Sequence, residues 1–113
     1  MIFASLPIRI HSEANGRQHW RKVAERKRNQ RMVARLVMQQ HARPMSPVAV
    51  RITLTRVAPR VLDDDNLASG FKAVRDGIAD WLGIDDGSPL LTWRYEQRKE
   101  RGVYAAEVAV SWG

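Results

Sequence analysis

The chain has 113 residues, of which 44% are hydrophobic and 27% charged, and its formal net charge at pH 7 is +7. This length and composition predict a single domain over residues 1–113 and exclude a largely disordered chain. The absence of cysteine excludes disulfides, thiol catalysis and thiolate zinc sites. The first residues lack the pattern of a signal peptide and no apolar run approaches the ~20 residues of a membrane helix. We therefore expect a soluble, cytoplasmic protein with no membrane partner.

The first half of the chain predicts a strand, a long helix and a second strand. Apolar residues at every second position from Ile2 to Ile10 indicate a half-buried strand. The basic segment that follows predicts a helix over 17–41, which ends before the prolines of "ARPMSP". Alternation over 48–56 predicts the second strand. The second half of the helix is expected to pack on the core through Val33, Leu36 and Val37.

The second half of the chain predicts one helix and two strands. Apolar residues at helical spacing predict an amphipathic helix over 66–82 that Gly83 caps, the stripe being Leu67, Phe71, Val74, Ile78 and Leu82. Residues 90–112 predict a hairpin that turns near Arg101 and Gly102. The order β-α-β-α-β-β indicates an α+β domain, with two main helices on a small mixed sheet of about four strands.

The positive charge is concentrated in residues 17–35. This segment carries eight basic residues and one glutamate, a net charge of +7, while the rest of the chain holds eleven residues of each sign. Such a stripe is typical of a surface that binds a phosphate backbone, whereas an ordinary solvated helix face mixes the two signs. An anionic membrane is a weaker alternative, because the segment lacks a broad apolar face. The predicted DNA-binding residues are Arg17, Arg21, Lys22, Arg26, Lys27, Arg28 and Arg31.

Residues 62–67, "LDDDNL", place three like charges side by side in front of the predicted helix. Helix capping explains one or two aspartates, but not three in a row, nor the pair Asp85 and Asp86 at the far end. Clustered carboxylates become favourable around a hard cation such as Mg²⁺. In an extended chain Asp63 and Asp65 would point the same way and Asp64 the opposite way. Asp63 and Asp65 are therefore the predicted ligands, and Asp64 a cap or a solvated group.

Lys72 lies two helical turns after Asp65 and off the apolar stripe. Its ordinary role would be an ion pair with Asp76, four residues further on. Beside a metal–carboxylate cluster it would instead stabilise the charge that develops in phosphoryl transfer.

The stretch "DDDNLASGFKAVRDGIADWLGIDD", residues 63–86, resembles the signature of the RusA family of Holliday-junction resolvases, Mg²⁺-dependent endodeoxyribonucleases common in prophages. The family pattern is an Asp-x-Asp-Asn-Leu helix start, a lysine within the helix and an Asp-Asp turn beyond it. The early "HSEANGRQHWRK" is also similar to the family's polar turn before a basic, tryptophan-bearing helix. One position departs from the pattern: the family's lysine falls on Ser69, and Lys72 comes one turn later.

The resemblance implies a RusA-like homodimer that binds a four-way DNA junction in recombination and repair and nicks two strands symmetrically. It implies Mg²⁺, with Mn²⁺ as a substitute, and no small-molecule cofactor. Asn66 would position a ligand or cap the helix, and Trp20 is a candidate junction contact whose ordinary role would be in the core. The implied catalytic residues are Asp63, Asp65, Asp86 and Lys72; the metal ligands are Asp63, Asp65 and Asp86, with Asp85 as a further candidate.

A helix of about 17 residues is about 25 Å long, so Asp65 and Asp86 begin at opposite ends of it. Either the loop at Asp86 folds back sharply, or Asp86 acts from the other subunit. The second arrangement is our hypothesis. Two other functions stay open, namely a non-catalytic basic DNA-binding module and a metal-dependent nuclease that acts on flaps or plain duplex.

Overall fold

The computed structural model describes residues 1–12, 20–45 and 48–113. Within these ranges the fold is α+β, with helices packed on a four-stranded mixed sheet, as the sequence predicted. No helix in the described ranges is long and apolar enough to cross a membrane. The elements are β1 (Ile2–Leu6), α1 (Trp20–Met38), β2 (Val50–Ala58), α2 (Asp64–Gly70), α3 (Lys72–Leu82), β3 (Leu91–Lys99) and β4 (Ala105–Trp112).

The strand order is β1-β4-β2-β3, and the predicted hairpin over 90–112 is wrong. The chain does turn at Arg101 and Gly102, but β2 lies between β3 and β4, antiparallel to β4 and parallel to β3. The connection between β3 and β4 crosses the end of β2, where the Glu100 N–H donates to the Ala58 carbonyl at 3.0 Å. The largely buried β2 needs a partner on each side, whereas β3 exposes Arg94, Glu96 and Arg98 and suits a sheet edge.

The core joins the inward faces of the strands to the helices. The predicted apolar stripe of the second helical region is buried in full, from Leu67 to Leu82. Helix α1 buries Gln30, Ala34 and Met38, which are spaced by four residues and so share one face. The prediction that Leu36 packs on the core is wrong, because that side chain lies off this face and is 50% exposed.

The predicted single helix over 66–82 is two helices. The chain becomes helical at Asp64 and breaks at Phe71, whose backbone has φ −89° and ψ −1°. A Cβ on Gly70 would lie 2.6 Å from the carbonyl oxygen of His11, so the glycine lets the chain after β1 approach the break. Gly83 ends α3 in the left-handed conformation, with φ 70°, as predicted.

Substitution of Gly77 by alanine tests the close packing of α1 on α3. A Cβ at this position would lie against the carbonyl oxygen of Arg31 and 2.9 Å from the Ala34 Cβ. We expect a loss of about 1–3 kcal/mol in the free energy of unfolding, measured in urea, because the helices must separate. The exposed control Asn29→Ala should be neutral or slightly stabilising. Alanine favours a helix over glycine by ~1 kcal/mol, so an increase of that size in the free energy of unfolding of Gly77→Ala would show that α1 and α3 are not closely packed here.

Candidate active site

Asp63, Asp64 and Asp65, here called the acidic turn, begin α2. Asp63 is its N-cap: one carboxylate oxygen accepts from the Asn66 backbone N–H at 2.8 Å, and the other accepts from the Asn66 side-chain amide at 2.9 Å. Asp64 and Asp65 are exposed, and neither side chain makes a hydrogen bond or ion pair within the described part of the chain. The prediction that Asp63 and Asp65 point the same way in extended chain is wrong, because the helix already begins at Asp64.

The residue before the acidic turn is attached to β3. The Leu62 backbone N–H donates to the Gln97 side-chain oxygen at 2.8 Å, and the Gln97 amide donates to the Leu62 carbonyl at 2.7 Å. This pair replaces the hydrogen bonds of a strand neighbour at a point where β2 has ended. It therefore fixes the position at which the acidic turn leaves the sheet.

Asp86 lies in a cluster of cationic and aromatic side chains. Its carboxylate accepts from Lys72 Nζ at 2.7 Å and from Arg75 Nε at 3.0 Å. Its backbone carbonyl accepts from Arg75 at 3.1 Å and from the Trp93 indole at 2.9 Å. Arg75 also donates to the Tyr95 hydroxyl at 2.9 Å and lies 4.8 Å from the centre of the Trp93 ring. Both the carboxylate and the backbone of Asp86 are thus held in place.

The charges in this cluster reinforce one another. The hydrogen bond from Lys72, together with the charges of Lys72 and Arg75, holds the pKa of the Asp86 carboxyl below its ordinary value. Hydrogen bonds to Asp86 and Asp76 in turn raise the pKa of Lys72. Lys72 also makes the predicted i,i+4 pair with Asp76, at 2.9 Å. At neutral pH Lys72 and Asp86 are therefore both charged.

Within one chain, Asp86 folds back to the first turn of α3. Helix α3 runs for 11 residues, about 16 Å, yet Asp86 contacts Lys72 at its first position. The break at Phe71 also divides the long helix assumed in the sequence argument. A second subunit is therefore not required to bring Asp86 to Lys72.

A cleft of about 440 Å³ lies between the basic helix α1 and the helices that follow the acidic turn. Here called the cationic cleft, it receives a lysine from α1 and a lysine and an arginine from α3. Ser69, which stands where the family's lysine would be, lines the cleft together with Lys72. The cleft is thus a short cationic surface that starts at Ala68, about one helical turn after Asp65. Its lining residues are Lys27, Ala68, Ser69, Lys72, Arg75 and Tyr95.

The rest of the predicted DNA-binding stripe is divided between exposed cations and one structural ion pair. Lys22, Lys27 and Arg28 are exposed, and none of them makes an ion pair with any residue in the described ranges. Arg31 instead donates to both carboxylate oxygens of Asp80, at 2.7 and 2.9 Å, and ties α1 to α3. Arg17 lies outside the described residues.

Trp20, the first residue of α1, is 69% exposed. The alternative that Trp20 packs in the core is therefore wrong, and its ring is accessible at the start of the basic helix. The guanidinium of Arg21 lies 5.2 Å from the ring centre. A contact between Trp20 and a DNA junction stays a prediction.

The acidic side chains offer carboxylate oxygens, which are the ligands that a divalent cation such as Mg²⁺ prefers. Among the described residues, however, no three His, Asp or Glu side chains are grouped closely enough to hold a metal ion. Mg²⁺ commonly takes only one or two protein carboxylates and completes its shell with water and substrate phosphate. Asp65 is accessible and Asp63 keeps spare lone pairs, so the acidic turn can supply such ligands.

Four residues that organise the site were not predicted from the sequence. Arg75, Trp93, Tyr95 and Gln97 position Asp86 and the acidic turn, and none was a predicted site residue. The last three occupy alternate positions on β3 and so share one face. That alternation of large polar-tipped side chains was the available signal.

Comparison with known proteins gives little information about function. No protein-family model matches the chain. No solved structure matches it. An uncharacterized protein of Xylella fastidiosa (strain Temecula1 / ATCC 700964) is 62% identical over 32 residues, which are 28% of this chain and 19% of that protein. The chain thus matches about a fifth of the length of this relative.

Replacement of Asp86 by asparagine should remove a pH-dependent part of the stability. Because the folded-state pKa of Asp86 is lowered, its contribution is present above the unfolded value of ~3.9 and is lost as the pH falls through the folded value. We expect Asp86→Asn to cost roughly 0.5–1 kcal/mol at pH 7, since solvent screens the exposed Lys72. The difference from wild type should shrink as the pH is lowered through the folded-state pKa of Asp86, measured by thermal unfolding across pH. Asp85→Asn, which removes no ion pair, is the control, and an equal pH-dependent loss there would contradict the assignment.

Replacement of Gln97 by leucine should release the chain in front of the acidic turn. The backbone N–H and carbonyl of Leu62 would lose their partners, which we expect to cost about 1–2 kcal/mol of unfolding free energy in urea. The control is Thr92→Leu, an exposed position on the same strand, with an expected change within about 0.5 kcal/mol. Equal losses in the two variants would show that Gln97 does not anchor the turn.

Proposed function

We propose that the protein is a RusA-like, Mg²⁺-dependent endodeoxyribonuclease that resolves four-way DNA junctions in the cytoplasm. As a homodimer it would make paired cuts by phosphodiester hydrolysis, in DNA recombination and repair. The observation that carries the proposal is the placement of an exposed acidic turn beside a cleft whose cations come from both α1 and α3. The resemblance of residues 63–86 to the RusA signature supports the junction as substrate.

DNA would be held by the basic helix. Lys22, Lys27 and Arg28 are exposed without acidic partners in the described ranges, so their charge is available to phosphate oxygens. Lys27 also lines the cationic cleft, which places one backbone contact next to Lys72. Binding through several such contacts releases counterions and weakens steeply with salt.

The acidic turn would hold the metal ion through Asp63 and Asp65. When bound, Mg²⁺ supplies an activated water and stabilises the oxygen that leaves. Asn66 keeps the Asp63 carboxylate oriented through its two hydrogen bonds. Lys72 and Arg75 are placed to neutralise charge on a phosphate in the cleft, and Asp86 holds both cations there. Asp86 as a third ligand, with Asp85 beside it, stays part of the proposal.

A non-catalytic DNA-binding module is the second candidate. The observation that favours it is that Asp63 caps α2 and Asp86 is neutralised by two cations, so both have structural roles. Such a module would bind junction DNA equally well in EDTA and in Mg²⁺. Its thermal midpoint would not respond to Mg²⁺ or Mn²⁺.

The proposed reaction is tested by the pair Asp65→Asn and Asp64→Asn with synthetic four-way junctions and with matched duplex and flap substrates. Both variants remove one exposed carboxylate from the same helical turn, so they have equal effects on net charge and a similar effect on folding. We expect Asp65→Asn to lower the Mg²⁺-dependent cleavage rate of the junction at least ~100-fold, the equivalent of ~2.7 kcal/mol of transition-state stabilisation. Asp64→Asn should retain most of the rate.

Junction binding in EDTA should be unchanged in both variants, because the basic helix is intact. Wild-type protein that binds the junction but does not cleave it would favour the non-catalytic module. Faster cleavage of flap or duplex than of junction would assign a different nuclease specificity. Undiminished cleavage by Asp65→Asn would contradict the assignment of Asp65 as a metal ligand.

A further inference from the structure

A second cleft, of about 490 Å³, lies where β1 and β2 end and the chain approaches β4. Three arginines line it: Arg9 after β1, Arg56 on β2 and Arg60 after β2. No Asp or Glu side chain lines it among the described residues. The arginines are therefore not balanced by a carboxylate in the described lining, unlike the cations of the cationic cleft, where Asp86 compensates the charge.

Arg56 is the buried member of the three, with 8% of its surface exposed. Its Nε donates to the Ile10 carbonyl at 3.1 Å, and one terminal nitrogen donates to the Arg60 carbonyl at 2.5 Å. It makes no ion pair with any described residue. Burial lowers the pKa of Arg56, and the charge of Arg9 lowers it further. An arginine nonetheless keeps its proton, so a buried positive charge lies here that no carboxylate of residues 1–12, 20–45 or 48–113 pairs with.

Arg9 and Arg60 complete the cationic lining. The Arg9 guanidinium lies 4.1 Å from the centre of the Tyr104 ring, and this stacking holds it over the cleft. Arg60 is exposed, and its own carbonyl orients Arg56. Planar guanidinium groups around one small space fit the oxygens of a phosphate group, which they can bind in pairs.

The cleft is close to the acidic turn along the chain. Arg60 precedes Asp63 by three residues, and three residues span at most ~10 Å. Successive phosphates of one DNA strand are separated by at least the ~3.4 Å rise per nucleotide, so this distance covers no more than about three nucleotide steps. A strand with one linkage at the acidic turn can therefore place another phosphate in the arginine cleft.

We infer that Arg9, Arg56 and Arg60 bind a backbone phosphate of the same DNA strand whose cleavage was proposed above. This inference rests on the proposed function. The contact sets the register of the strand, because a phosphate fixed a few steps away determines which linkage faces Asp63 and Asp65. None of its lining residues belongs to α1, so this contact would be additional to those of the basic helix.

The salt dependence of binding tests the contact without catalysis. The variant is Arg60→Gln, which removes an exposed charge but keeps the backbone carbonyl that orients Arg56. Arg51→Gln, an exposed β2 position that does not line the cleft, is the matched control. The affinity for junction DNA is measured in EDTA at several salt concentrations. The negative slope of log K against log salt should become shallower by about one for Arg60→Gln and stay unchanged for Arg51→Gln.

A second measurement locates the phosphate. A junction strand that carries one neutral methylphosphonate at successive linkages should lose affinity for wild-type protein at a position within a few steps of the cut. Arg60→Gln should be insensitive to that same substitution. Equal salt slopes for wild type and Arg60→Gln, or sensitivity to no linkage, would overturn the inference while the nuclease proposal stands. A slope change without any cleavage would retain the phosphate site and reject the nuclease, and the absence of DNA binding would overturn both.

Discussion

The parallel pairing of β2 with β3 is the constraint on which the candidate site depends. Two neighbouring strands that run the same way need a long crossover, and here residues 59–90 form it. The acidic turn, both short helices and Asp86 all lie in this connection. The crossover must also cover the sheet, which it does by burying Phe71, Val74 and Ile78. The acidic residues are thereby carried on a segment whose path is set by the core.

Side chains of the edge strand β3 hold the crossover in a fixed position on the sheet. Trp93, Tyr95 and Gln97 point to one side, at intervals of about 6.6 Å, and contact Asp86, Arg75 and Leu62 respectively. The same strand thus contacts the residue before the acidic turn and Asp86, and so sets the position of one relative to the other. The same arrangement separates charge. The carboxylates of the candidate site, Asp63, Asp65 and Asp86, lie in the crossover, whereas the exposed cations Lys22, Lys27 and Arg28 lie on α1.

Local signals in the sequence predicted local structure well. The stripe from Leu67 to Leu82 and the cap at Gly83 follow from spacing and capping chemistry between near neighbours, whereas the helix starts at Asp64 with Asp63 as its cap, two residues before the predicted start. The pairing of β3 depends on which strand is buried enough to need hydrogen-bonding partners along both of its edges, and short-range patterns carry no such information. The side chains around Asp86 come from α3 and β3, which meet only in the tertiary fold. Arg75 and Gln97 were therefore missed, although their neighbours were identified.

The central claim is that the acidic turn holds a divalent cation beside the cationic cleft, and Mn²⁺ in place of Mg²⁺ tests it most directly. Paramagnetic Mn²⁺ broadens the amide NMR signals of nearby residues, and the readout is independent of catalysis. Titration of Mn²⁺ into the protein should broaden the signals of Asp64, Asp65 and Asn66 first, and the Asp65→Asn variant should require several-fold more ion. Broadening that begins elsewhere in the chain, or that is the same in Asp65→Asn, would contradict the account.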